Sequence, residues 1–238
     1  MPSVKATARR AGLLYFLFMI VAILGEFFLP AFMVPGDAAA TARNITAAEG
    51  MYRIAILIGF GTLVIFVFLV VSLYKLLKDV DKSQAMMMVL LVSVGVAVAL
   101  ANLLTKFAPL VLLSRADYLS VFTKPQLDAL ALGFLRFHSG GLIVIKAFWG
   151  LWLFPFGRLV IRSGFFPQIL GILLLVAGFA YLIGSATSLV LPDYRQVVSR
   201  VMMPLYFGEV PIIFWLLIKG AKEPQLRNPQ ARMPGVLP

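Results

Sequence analysis

From Ile54 to Tyr74 the chain runs for 21 residues without a charged side chain. As a helix rising 1.5 Å per residue, such a run spans about 30 Å, the thickness of a bilayer's hydrocarbon core. Hydrocarbon offers no water to peptide N–H and C=O groups, so a run of this kind must satisfy its own backbone. Continuous rather than alternating hydrophobicity selects the helix. Five comparable runs follow the same logic, at about 11–34, 85–113, 127–157, 165–191 and 201–218. With 61% of the 238 residues apolar and 13% charged, and a mean hydropathy of +0.98, too little polar surface remains for a water-soluble globule, which carries about 25% charged residues. The expected fold is all-α: a polytopic bundle of six transmembrane helices with short loops. It forms a single integral membrane domain over 1–222, followed by a disordered cytoplasmic tail over 223–238 that contains Pro224, Pro229, Pro234 and Pro238.

Absent residue types narrow the chemistry. The chain has no cysteine, which removes disulfides, thiol nucleophiles and thiolate metal sites. His138 is its only histidine, which excludes a bis-histidine haem within one chain and a metalloprotease helix. Gly59 and Gly61 lie inside an apolar run without the spacing of a phosphate loop, and read as helix packing. No cofactor is expected. The net charge of +11 takes its meaning from position. With the N-terminus inside, twelve Lys and Arg fall in cytoplasmic segments against six in outer loops, which predicts both termini in the cytoplasm. The basic balance is then a topology signal with contact to membrane lipids, and nucleic acid is not an expected partner. The long first run reads as an uncleaved span rather than a secretory signal. Thr46-Ala47-Ala48-Glu49 and Thr123-Lys124-Pro125-Gln126 each fit a capping box at a helix start.

Five segments carry a resemblance. Ala8-Arg9-Arg10-Ala11-Gly12-Leu13-Leu14-Tyr15, the stretch from Gly36 to Ile45, Leu113-Ser114-Arg115-Ala116-Asp117-Tyr118-Leu119, Gly150-Leu151-Trp152-Leu153-Phe154-Pro155-Phe156-Gly157, and the stretch from Ser163 to Gly171 are similar to bacterial multi-pass membrane proteins of domain of unknown function family 4386. Arg115 and Lys146 stand where that pattern leads one to expect a small and a neutral residue. The resemblance implies a bacterial inner-membrane protein; it brings no substrate, cofactor or catalytic residue.

Functional candidates are therefore the ionisable groups at membrane depth, each of which needs a partner, water or a route to the surface. Glu209, ten residues before Lys219, and Lys146, twelve before Arg158, lie about 15 and 18 Å from the cytoplasmic boundary. Their opposite signs suggest an interhelical pair. Pro211 disturbs the helix beside Glu209, as in broken helices that line cavities. A second layer by depth contains Glu26, Asn102, Lys106, Arg136, His138, Ser185 and Ser188. The long fourth run is expected to bend at Gly140-Gly141. Ala180, Gly184 and Ser188 read as a packing face. Three functions compete. The first is binding or transport of a small, anionic molecule or lipid through an outward-facing polar pocket, with Lys106 and Arg136 as binders and Glu26 as their counter-charge. The second is a non-catalytic accessory protein whose buried charges hold helices together. The third is an intramembrane enzyme with His138 as base, Asp117, Asp128 or Glu26 orienting it, and Ser139 or Ser185 as nucleophile.

Overall fold

The computed structural model describes residues 3–28 and 32–221, with side chains over 3–25 and 32–221. Ten α-helices occur among them: α1 (Val4–Phe28), α2 (Ala38–Ala47), α3 (Glu49–Leu77), α4 (Lys82–Leu104), α5 (Phe107–Leu112), α6 (Lys124–Leu151), α7 (Leu153–Arg162), α8 (Gln168–Val190), α9 (Arg195–Tyr206) and α10 (Val210–Phe214). No strand is present among the described residues. Grouped as Val4–Gly25, Glu49–Leu77, Lys82–Leu112, Lys124–Arg162, Gln168–Val190 and Pro192–Lys219, they give six helices long and apolar enough to cross a membrane. The six expected spans are all present. The first begins earlier than the apolar run, because Lys5, Arg9 and Arg10 join its opening turns. The tail over 223–238 and the side chain of Glu26 lie outside the described residues.

Two helix boundaries depart from expectation. Thr46 does not cap α3: its hydroxyl donates to the Ala42 carbonyl within α2. The cap in this region is Asp37, whose carboxylate accepts from the Ala40 N–H at 2.8 Å and starts α2. Thr123 keeps its predicted role, with the Gln126 side chain accepting from the Thr123 N–H at 2.8 Å. The fourth span does not break at its glycine pair either. α6 passes straight through Gly140 and Gly141 and gives way to α7 at Trp152. Pro155 accounts for this position, since it has no N–H for the Leu151 carbonyl and its ring crowds that carbonyl. A glycine pair only permits a bend, whereas a proline imposes one.

The core is built on close approaches between backbones. α1 packs along α3 and along the π-helical turn Trp215–Lys219 that ends the last span. A Cβ on Gly12 would lie 2.4 Å from the Leu217 nitrogen, so only glycine fits. Arg9 Nη2 donates to the Ile218 carbonyl at 3.1 Å, which brings both ends of the described chain to one end of the bundle. On the other side, Gly150 and Gly157 of the fourth span face Gly178 and Gly171 of α8. A Cβ at any of these four would come within 3.0 Å of the opposing glycine's carbonyl oxygen. Both pairs are spaced by seven residues, or two helical turns, so the antiparallel helices touch backbone to backbone at both places. Several segments that carry the family resemblance are thus the contact points of the bundle. Between these crossings sits an aromatic cluster, with Phe66 against Trp152 at 5.3 Å edge to face and Trp152 stacked on Phe156 at 5.2 Å.

Candidate functional site

A half-enclosed cavity of about 450 Å³ opens between α1, α3, α4, α6 and α8. Its wall includes Asn102, Lys106, His138 and Lys146, four of the nine residues singled out by depth, together with Tyr52, Ser139 and Tyr181.

His138 is fixed by the end of α4. Pro109 prevents α4 from continuing regularly into α5, and the chain between them makes tight turns at Thr105 and Lys106. The Asn102 carbonyl there lies 3.0 Å from His138 Nδ1 and accepts from the Thr105 hydroxyl at 2.6 Å. The Asn102 amide reaches back, with Nδ2 3.1 Å from both the His138 carbonyl and Nδ1. Nδ1 is therefore held by α4 in either tautomer, while Nε2 makes no hydrogen bond among the described residues. Gly141 supplies the space: a Cβ there would fall 2.1 Å from Asn102 Oδ1. Tyr52 completes the frame by donating to the Lys106 carbonyl at 2.8 Å. Gly141→Ala is expected to push the Asn102 side chain off His138 and cost about 1–2 kcal/mol. Asn102→Ala should remove that cost in a double-mutant cycle on thermal unfolding in detergent; additive losses would contradict it.

The remaining candidates lie elsewhere. Arg136 is exposed and does not line the cavity, because two residues along a helix turn it about 200° away from His138. Ser188 donates to the Gly184 carbonyl at 2.8 Å. Ser185 is buried, and its hydroxyl has no hydrogen-bond partner among the described residues. Glu209 does not pair with Lys146. It sits in the 3₁₀ turn Phe207–Glu209, where its carboxylate accepts from the Tyr15 hydroxyl of α1 and also from Tyr181 of α8. Lys146 is exposed on the cavity wall and enters no ion pair among the described residues. The ion pairs among the described residues are Arg53–Glu49, Lys124–Asp128 and Arg162–Asp81. Counting residues gave similar depths, but the helices turn these two groups toward different neighbours. Tyr181 links the two regions, since it lines the cavity and reaches Glu209.

Among the described residues the arrangement supplies hydrogen bonding and positive charge, and neither Ser139 nor Asp128 is placed against His138. Ser139 donates to the Leu135 carbonyl at 3.0 Å rather than facing His138, Asp128 is taken by Lys124 at 2.5 Å, and the groups that orient His138 are the neutral Asn102 and Thr105. Sequence reasoning missed Tyr15, Tyr52, Thr105 and Tyr181. Their only signal was a polar tip inside an apolar run.

The family described as Domain of unknown function (DUF4386) matches residues 10–220. A relative from Archaeoglobus fulgidus, named only as an uncharacterized protein, is 31% identical over 158 residues, covering 64% of this chain and 92% of its own length. No solved structure matches. With six membrane-spanning helices and a match that runs through all of them, the chain belongs to the DUF4386 family.

Proposed function

We propose that this protein binds a small anionic molecule in the cavity between its helices, as a membrane binding or transport protein. The observation that carries this reading is Lys146, a lysine about 24 Å by helical rise from the nearest end of its span at Arg162, on the cavity wall and without an ion pair among the described residues. An ammonium group at that depth is costly unless water or an anion meets it. Lys106 and His138 line the same wall, and His138 Nε2 is left to serve a ligand. A volume of about 450 Å³ suits a metabolite-sized guest, within the usual range of about 300–1,000 Å³. Untargeted mass spectrometry of extracts from the purified protein is expected to show an enriched anionic species that Lys146→Met reduces at least about tenfold. The same species at equal yield from Lys146→Met would overturn the reading.

The accessory reading draws on a different observation. The half-buried Glu209 carboxylate joins α1, α8 and the last span through tyrosine hydroxyls, which is how a polar group within a bundle holds helices together. Both roles are compatible in one chain, because the cavity and this junction meet only at Tyr181.

A further inference from the structure

A second cavity, of about 780 Å³, lies at the end of the bundle away from the chain ends and shares no residue with the first. It is enclosed by α2, the end of α5 and the turn into α6, where the third span ends at Leu112 and the fourth begins at Lys124. That places it at the level where hydrocarbon gives way to water. Its floor is apolar, with Leu112, Leu119 and Leu127, and its rim carries Arg43, Arg115 and Lys124 against Asp117 and Asp128. Lys124 and Asp128 satisfy each other. Arg43 and Arg115 are exposed and, among the described residues, their side chains enter no ion pair or hydrogen bond, leaving two guanidinium forks with the exposed Asp117 as the remaining carboxylate lining the cleft. Phe122, on the wall of this cleft, also borders a shallow apolar groove. The groove runs down the exposed side of α6 past Leu130, Gly133, Phe134 and Phe137. A cationic cleft at the interface and an apolar track along the lipid-facing helix thus meet at one side chain.

We propose that this composite surface binds one anionic phospholipid, with its phosphate on Arg43 and Arg115 and an acyl chain along α6 past Phe122. A guanidinium matches a phosphate through two parallel hydrogen bonds, and the excess of cations on the rim selects a headgroup with net negative charge. The apolar floor and the groove distinguish a lipid from free phosphate, which needs neither. This site stands independently of the cavity that holds Lys146.

The test is native mass spectrometry of the full chain in detergent, titrated with phosphatidylglycerol and phosphatidylcholine of the same acyl composition. Phosphatidylglycerol is expected to bind at least about tenfold more tightly. Arg43→Gln combined with Arg115→Gly should bring the two lipids to parity. Glycine is chosen because Arg115 has φ 60°, a conformation glycine adopts freely, so the backbone keeps its path. Gly133→Trp, which fills open space on α6, should weaken lipid binding while an unchanged melting temperature reports a folded protein. Lys146→Met should leave this binding unaltered, separating failure here from failure of the cavity. Equal affinity for the two lipids in the parent protein, or full binding by the double arginine variant, would overturn the proposal. So would displacement of the lipid by an equal concentration of soluble glycerophosphoglycerol.

Discussion

Alanine at position 12 is expected to lower the stability of the detergent-solubilised protein by about 3 kcal/mol, a large overpacking effect, whereas alanine at position 140 is expected to be neutral or to stabilise by up to about 1 kcal/mol. Both positions are helical glycines in a membrane span, and composition alone treats them alike. The difference is what a methyl group would meet. At Gly12 its three nearest neighbours are the Leu217 nitrogen, the Leu216 carbonyl carbon and the Leu217 Cα, at 2.4, 2.6 and 2.7 Å. All three are backbone, so no side chain can rotate aside and the helices must separate. Separation also pulls Arg9 from the Ile218 carbonyl and strains the Tyr15–Glu209 contact a turn away. At Gly140 nothing lies within 4 Å, and alanine brings only its better helix propensity. Unfolding of the two variants by denaturing detergent measures both effects; equal losses would show that the α1 crossing is not as close as described.

The same contrast explains what could be read from the chain beforehand. Six spans were legible because a bilayer forces the backbone to satisfy itself, so long apolar runs have one available structure. Their ends were less legible. Lys5, Arg9 and Arg10 interrupt hydrophobicity without interrupting a helix, and α1 takes them in. The break in the fourth span followed Pro155 rather than Gly140-Gly141, since a missing N–H acts on the helix directly while a missing Cβ acts only through its neighbours.

Depth was legible for the same reason as the spans: helical rise is constant. Asn102, Lys106 and His138 were expected at one level and do share one wall. Azimuth was not legible. Arg136 stands almost level with His138 and points elsewhere, because direction around the axis acquires meaning only once the neighbouring helix is known. The role of Gly141 was hidden in the same way, since it depends on the Asn102 side chain arriving from α4. Tyrosines were undervalued because hydropathy counts the ring and overlooks the hydroxyl, yet Tyr15 and Tyr181 make the polar contacts that replace the expected ion pair, and Tyr52 holds the Lys106 carbonyl.

That replacement leads to the second large effect. Glu209→Ala is expected to cost about 2–3 kcal/mol, since it leaves the Tyr15 and Tyr181 hydroxyls without their acceptor inside a medium that offers no substitute. Glu209→Gln keeps an acceptor oxygen and should retain most of the stability. Tyr15→Phe should cost less on its own, and in the Glu209→Ala background it should cost nothing further or restore part of the loss, because it removes one of the orphaned donors. The interaction energy of that cycle isolates the contact. Lys146→Met is the decisive companion. If Glu209 were held by a charge, methionine at 146 would destabilise the protein and couple to Glu209→Ala. With tyrosines as the partners, it should leave the melting temperature unchanged and show no coupling. Strong coupling between positions 146 and 209, with none between 15 and 209, would return the carboxylate to an ion pair. It would also take from Lys146 the freedom on which anion binding in the cavity depends.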